Sequence, residues 1–141
     1  MRVLLPGNCV GFIPRKGCVS VQCYSRQWAC LLPQHGPGAK HERPIALEAW
    51  QHAITGAHPR EPVRGLLHSD GCRFDNVVFR RGRRYAYPSY AFSNRSEDIK
   101  RIFCEHLDLL GIAWRRAGHK QVWISRRPAV AALHAFVGPK R

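Results

Sequence analysis

The sequence predicts an α+β fold, and three observations carry that expectation. From residue 60 onward, stretches with apolar residues at helical spacing alternate with pairs of strand-like stretches, in the order helix, two strands, helix, two strands, helix. Residues 10 to about 37 repeat the tail of that order: VGF…VSVQCYS…ACLLPQHGP parallels IAW…QVWIS…AALHAFVGP at an offset of about a hundred residues, each closing on Gly-Pro. The 141 residues are close to the modal size of one domain, and 45% hydrophobic residues suffice for a core, so one compact unit is expected. Within it, a partial first repeat (ββα plus a linker helix) covers 1–58, and a complete αββαββα repeat covers 59–141.

The elements follow in order. CVGFI and CVSVQCY flank PRKG, a turn signal, so strands are expected over 10–13 and 18–24. A short apolar stretch, WACLL, ends at the loop chemistry of PQHGPG. IALEAWQHAI (45–54) reads as a helix after Pro44, which suits the first helical position, and GAHPREP reads as a linker. In the next helix Val63, Leu66, Leu67 and Asp70 fall at i, i+3, i+4 and i+7, which puts the acid on the apolar face, and Gly71 fits a left-handed position past the end.

CRFDNVVFR and YAYPSYAFS read as strands joined by the basic turn RGRR, with Pro88 limiting the second to an edge or bulge. SEDIKRIFCEHLDLLG is the clearest helix: Ile99, Ile102, Phe103, Leu107 and Leu110 form one stripe, Ser96 is the N-cap, Glu97 and Asp98 suit the dipole, and Gly111 closes it. IAWRR and KQVWIS form a hairpin around AGHK, and RPAVAALHAFVGP is a helix with Pro128 near its start and Gly138-Pro139 past its end.

Charge bounds the function. Lys and Arg number 23 against 9 Asp and Glu, a formal +14, which argues for a polyanionic partner, with nucleic acid first. An anionic membrane surface fits less well, because no long basic amphipathic helix is visible. The opening MRVLLPGNCVGF is too short in apolar residues for a secretory h-region, and no apolar stretch approaches the ~18 residues that span a bilayer. With six cysteines in no secreted disulfide pattern, a reduced, intracellular, cytoplasmic protein is expected.

The acid at position 70 poses a physical problem. A carboxylate at a helix C-terminus opposes the dipole by ~0.3–1 kcal/mol. Gly65 and Ser69, four apart, leave a narrow strip where a second helix could come close. Two such helices would bring two acids together, and a divalent cation would relieve their repulsion. Two oxygen-liganded metals beside a basic sheet would suit phosphodiester hydrolysis.

The stretch Val63-Arg64-Gly65-Leu66-Leu67-His68-Ser69-Asp70-Gly71 resembles the LAGLIDADG motif of homing endonucleases, matching at Gly65, Leu66, Asp70 and Gly71, with Leu67 conservative and Arg64, His68 and Ser69 departing. It is followed by ββαββα, as the family's repeat is. GLLHSDGCR, RRYAYPSYAFSNRS and AFVGPK also look like small LAGLIDADG-related proteins of actinobacteria, described as endonuclease-like or as transcriptional regulators. The resemblance implies a curved antiparallel sheet that sits over double-stranded DNA, with Asp70 as ligand to Mg²⁺ or another divalent cation and Lys120 as the candidate for the basic residue that assists near the metal site.

Strands over 72–80, 84–93, 112–116 and 120–125 would form the DNA surface. Alternation puts Arg73, Asp75 and Val77 on one face and Phe74, Asn76 and Val78 on the other, and leaves open which meets DNA. Arg73, Asn76, Arg80, Arg84, Arg115 and Arg116 are candidates for bases and phosphates; the turn residues Arg81, Arg83, His119 and Lys120 for backbone. A single-chain member carries two motif helices, and nothing upstream of Cys9 supplies the other here. A homodimer through Gly65, Leu66 and Ser69, a complementary half-chain, a degenerate fragment and a start placed too far downstream all fit. A non-catalytic DNA-binding transcriptional regulator on the same scaffold is the alternative function.

Other constellations are weaker. Cys18, Cys23, Cys30 and His35 lack the spacing of a zinc knuckle. His106 and His134 lie among apolar helix residues, Cys104 sits mid-helix, and His68 beside the acid is explained by packing at least as readily as by chemistry. There is no P-loop and no Ser-His-Asp pattern.

Overall fold

The computed structural model describes residues 6–138, so Met1–Leu5 of the leader expectation and Pro139 after the last helix lie outside the described residues. Length pointed to one compact unit; the chain forms two, Met1–Pro37 and Gly38–Arg141. The fold is α+β, with a two-stranded and a four-stranded antiparallel sheet.

In the first unit, β1 (Val10–Arg15) and β2 (Cys18–Cys23) pair around Lys16-Gly17, and Gly17 takes φ +78 there. One helical turn, α1 (Trp28–Leu31), follows, and its Trp28 Nε1 donates to the Cys23 carbonyl at 2.9 Å. None of its described residues is buried, and Phe12, Val19, Val21 and Tyr24 stand exposed. A hairpin of this kind buries too little to be stable alone.

The second unit starts with α2 (Ala49–Ala57), a correction to the helix expected from Ile45. Its true start is a capping box in which Glu48 and Gln51 satisfy each other's backbone N–H groups. Ile45 is instead pinned: its N–H donates to Asp98 Oδ2 at 2.8 Å, and its side chain is buried. That hydrogen bond, then the Arg101 guanidinium, holds the Asp98 carboxyl below its ordinary value. A depressed carboxylate contributes stability above its unfolded value and loses it as pH falls through the folded one. The protection factor of the Ile45 amide, its exchange relative to the intrinsic rate at the same pH, should therefore fall on acidification below the ordinary aspartate range, and Asp98→Asn should remove that pH dependence. The expected linker GAHPREP is mostly helical, because only His58 and Pro59 separate α2 from α3 (Arg60–Asp70).

β3 (Gly71–Arg80) leaves α3 without a break and pairs with β4 (Arg83–Ser93) through a turn at Arg81-Gly82, with φ +48 and +73. Two residues in the left-handed region match the twist of the flanking strands. α4 (Glu97–Leu109) has the predicted cap, Ser96 Oγ accepting from the Ile99 N–H at 3.3 Å. It ends as predicted on Gly111 at φ +65, where the Gly111 N–H reaches the Asp108 carbonyl and the Ile112 N–H reaches that of Leu107. This closing turn is why β5 (Arg115–Ala117) starts later than the expected residue 112. β6 (Gln121–Ile124) and α5 (Arg127–Val137) complete the chain.

The sheet order is β3-β4-β6-β5. α3, α4 and α5 bury Val63, Leu67, Phe103, Leu107, Val130 and Leu133 against Tyr90, Phe92, Val122 and Ile124. Phe92 and Phe103 meet with ring centroids 4.4 Å apart. Burying each such side chain contributes ~1.5–3 kcal/mol before entropy is counted. Pro88 fits its predicted edge position: β6 pairs with β4 only from Tyr90 to Ser93, so Pro88 has a strand on one side alone.

Candidate nucleic-acid interface and the Asp70 site

Register sorts the strand residues onto two faces. Tyr90, Phe92, Val122 and Ile124 face the helices, so their cross-strand partners Arg73, Gly71 and Arg116 do too. The outer face then holds Phe74, Asn76, Val78 and Arg80 of β3, Arg83, Tyr85, Tyr87, Ser89 and Ala91 of β4, Gln121 and Trp123 of β6, and Arg115 of β5. None of its strand positions carries a carboxylate.

The aromatic residues organise this face. Phe74 lies opposite Ser89 and Trp123 opposite Ala91, and the two rings meet edge-on at 5.2 Å, reaching across the small side chains of the central strand. Tyr85 and Tyr87 stack at 6.4 Å. Arg115 lies over the Trp123 ring at 4.8 Å and Arg127 over Tyr87 at 5.6 Å. A guanidinium placed over a ring face can keep its N–H donors for phosphates or bases. Trp123 Nε1 donates to Gln121 Oε1 at 2.9 Å.

The sequence-stated candidates are thereby divided. Asn76, Arg80, Arg83 and Arg115 share the outer face, and Arg81 sits in the turn beside them. Arg73 and Arg116 lie on the helix side. Arg73 lines a cavity of about 430 Å³ with His68, Tyr90 and His134, and Arg116 pairs with Glu97 Oε2 at 3.3 Å. Arg84 also has helix-side parity, beyond the reach of β6. His119 and Lys120 form the β5–β6 turn: the His119 carbonyl accepts from the buried Lys100, and the Lys120 carbonyl from the Asn94 N–H at 3.0 Å. The aromatic partners Phe74, Tyr85, Tyr87 and Trp123 are not among the candidates; the signal available for them is strand parity in CRFDNVVFR, YAYPSYAFS and KQVWIS.

Asp70 ends α3 with its side chain 38% exposed, while Val63 and Leu67 are buried and Leu66 half-buried. Its Oδ2 accepts from Asn94 Nδ2 at 2.9 Å and lies 3.7 Å from Lys40 Nζ. Asn94 Oδ1 in turn accepts from the Ser96 N–H at 2.9 Å, so the acid ties the end of α3 to the start of α4. These donors offset the unfavourable dipole. His68 Nε2 donates to the Val137 carbonyl at 2.8 Å, a packing role. Gly71 is extended at φ −97, not left-handed as expected: its lack of a side chain serves space, since a Cβ would fall 2.6 Å from the Leu67 carbonyl oxygen.

Gly65 and Ser69 are exposed, and a Cβ on Gly65 would meet nothing within 4 Å. Gly65→Ala should therefore stabilise the chain by ~0.5–1 kcal/mol in thermal melts, through helix propensity alone. A destabilised, concentration-dependent melt would instead mean that a second α3 packs on this strip.

Cys104 and His106 are packed into the fold, whereas Cys9, Cys18, Cys30 and Cys72 are exposed. All six cysteines are free, and burial pushes the Cys104 thiol up to about 11. His106 is buried with Nδ1 on the Ile102 carbonyl, and His134 packs on Tyr90. Among the described residues no three His, Cys, Asp or Glu side chains converge on one point. Among them, too, no helix is long and apolar enough to cross a membrane. No protein-family model matches the chain, and no curated protein matches it.

Proposed function

We propose that this chain binds double-stranded DNA through the outer face of the β3-β4-β6-β5 sheet. The observation that carries this is the sorting of carboxylates: both faces carry three strand arginines, but Asp75 and the Glu97 partner of Arg116 lie on the helix side alone. Arg80, Arg83 and Arg115 stand with Asn76 and Gln121 on a face without carboxylates, whereas Arg116 on the other side is matched by Glu97. Arginines would hold phosphates, and Asn76 and Gln121 are the residue types that pair with adenine edges. A DNA partner and six free cysteines favour a cytoplasmic location.

Binding without cleavage is the form of the proposal that Asp70 favours. Mg²⁺ is usually held by one or two carboxylates with waters and phosphates. One chain offers Asp70, already engaged by Asn94 and Lys40, and that donor set does not fit a resident metal. Cleavage of the LAGLIDADG kind would need a second acid, from a homodimer or a complementary half-chain. A non-catalytic regulator is therefore the preferred reading.

Gel shifts across a salt series, with plasmid incubated in Mg²⁺ alongside, test both statements. Log affinity should fall linearly with log salt, and the plasmid should stay supercoiled. Mg²⁺-dependent nicking that Asp70→Ala abolishes would replace the regulator with an endonuclease. Affinity indifferent to salt would remove DNA binding altogether.

A further inference from the structure

β6 covers the edge of β4 only from Tyr90 to Ser93. From Phe74↔Ser89 to Arg80↔Arg83, β3 and β4 therefore pair only with each other, as a ribbon roughly 20 Å long at ~3.4 Å per residue. Its tip carries Arg80, Arg81, Arg83 and Arg84, and no carboxylate occurs between Asn76 and Ser96. On the side away from the outer face, Val77 and Phe79 are 38% and 70% exposed. Arg84 lies directly across from Phe79, and Ala86 from Val77. The two-residue turn fixes the backbone of this tip, so the position from which the ring projects is set.

An aromatic ring projecting between guanidinium groups matches a base step flanked by phosphates. Apolar wedges of this type unstack a step from the minor groove and bend the duplex, and the bend brings more phosphates to the protein. The charge of the tip selects a polyanion, and its ring selects one with a stack to enter.

We infer that the β3–β4 ribbon is a DNA-bending arm, in which Phe79 enters the minor groove as a wedge while Arg81 and Arg84 hold the flanking phosphates. This rests on the DNA-binding reading above, and it assigns a role to the face of the ribbon which that reading leaves unused.

The test uses the full chain and an end-labelled duplex of about 40 base pairs, with energy transfer reporting end-to-end distance. The wild type should bend the duplex by roughly 20–90°. Phe79→Ala should straighten it and lower the salt slope by the phosphates that only the bend brings in, Phe79→Leu should keep both bend and slope, and Arg84→Ala should lower the slope by about one. Melting curves should match the wild type, because Phe79 is exposed. A bound but straight duplex, or an equal bend with Phe79→Ala, overturns the arm and leaves sheet-face binding intact. No binding to duplex overturns both. Phosphatidylserine vesicles bound more tightly than duplex, with loss in Phe79→Ala, would assign the arm to a membrane surface and overturn it as well.

Discussion

Replacing Arg80, Arg83 and Arg115 together with Gln should weaken duplex binding on the order of a hundred-fold at moderate salt. Each guanidinium–phosphate contact contributes roughly 1 kcal/mol after desolvation, and hydrogen bonds to charged groups support no smaller figure. Three lost contacts should also flatten the plot of log affinity against log salt by about three. The matched control is Arg73→Gln with Arg116→Gln, which removes charge from the helix side, where Arg116 is already paired with Glu97. Fluorescence anisotropy over a salt series measures both sets. A control loss in proportion to the two charges removed against three, about two-thirds of the slope change, would mean that binding follows total charge and not one face of the sheet.

Gly71→Ala should be the most damaging small substitution in the second unit. The added methyl would lie 2.6 Å from the Leu67 carbonyl oxygen and 2.7 Å from the Leu67 Cα, both backbone atoms of a packed helical turn. Neither can yield as a flexible side chain would. Overpacking of this kind costs ~1–3 kcal/mol and occasionally more, against a typical domain stability of roughly 5–15 kcal/mol. A fall in Tm on the order of 10 °C should follow. A Tm unchanged from the wild type would show that α3 can lift from β3, and the tight helix–strand junction would lose its significance. Gly65→Ala, six residues away on the exposed strip, is the internal contrast, expected to act in the opposite direction.

Much of the fold was legible in local patterns, and particular residues show why. Ser96, Gly111 and the Ile102–Phe103–Leu107 stripe act within one or two turns, so their chemistry is readable from neighbours alone. The helix after Pro44 was placed early because two signals competed. Proline marked a plausible start, but the reciprocal Glu48–Gln51 cap and the distant Asp98 carboxylate took the segment otherwise. Gly71 was assigned to a helix cap because sequence cannot separate a glycine needed for its φ from one needed for its missing Cβ.

The site divides along the same line. Sequence alone determined the α+β class, the alternation of helices with strand pairs, the excess of positive charge and the two parities of each strand, because each depends on residues near in the chain or on simple sums. Tertiary structure alone decided which parity faces outward, since both carry aromatic rings and only helix packing on Tyr90 and Phe92 distinguishes them. It also decided what Asp70 meets, because Asn94 and Lys40 lie far along the chain and reach that carboxylate only once α3, β4 and the segment before α2 are assembled.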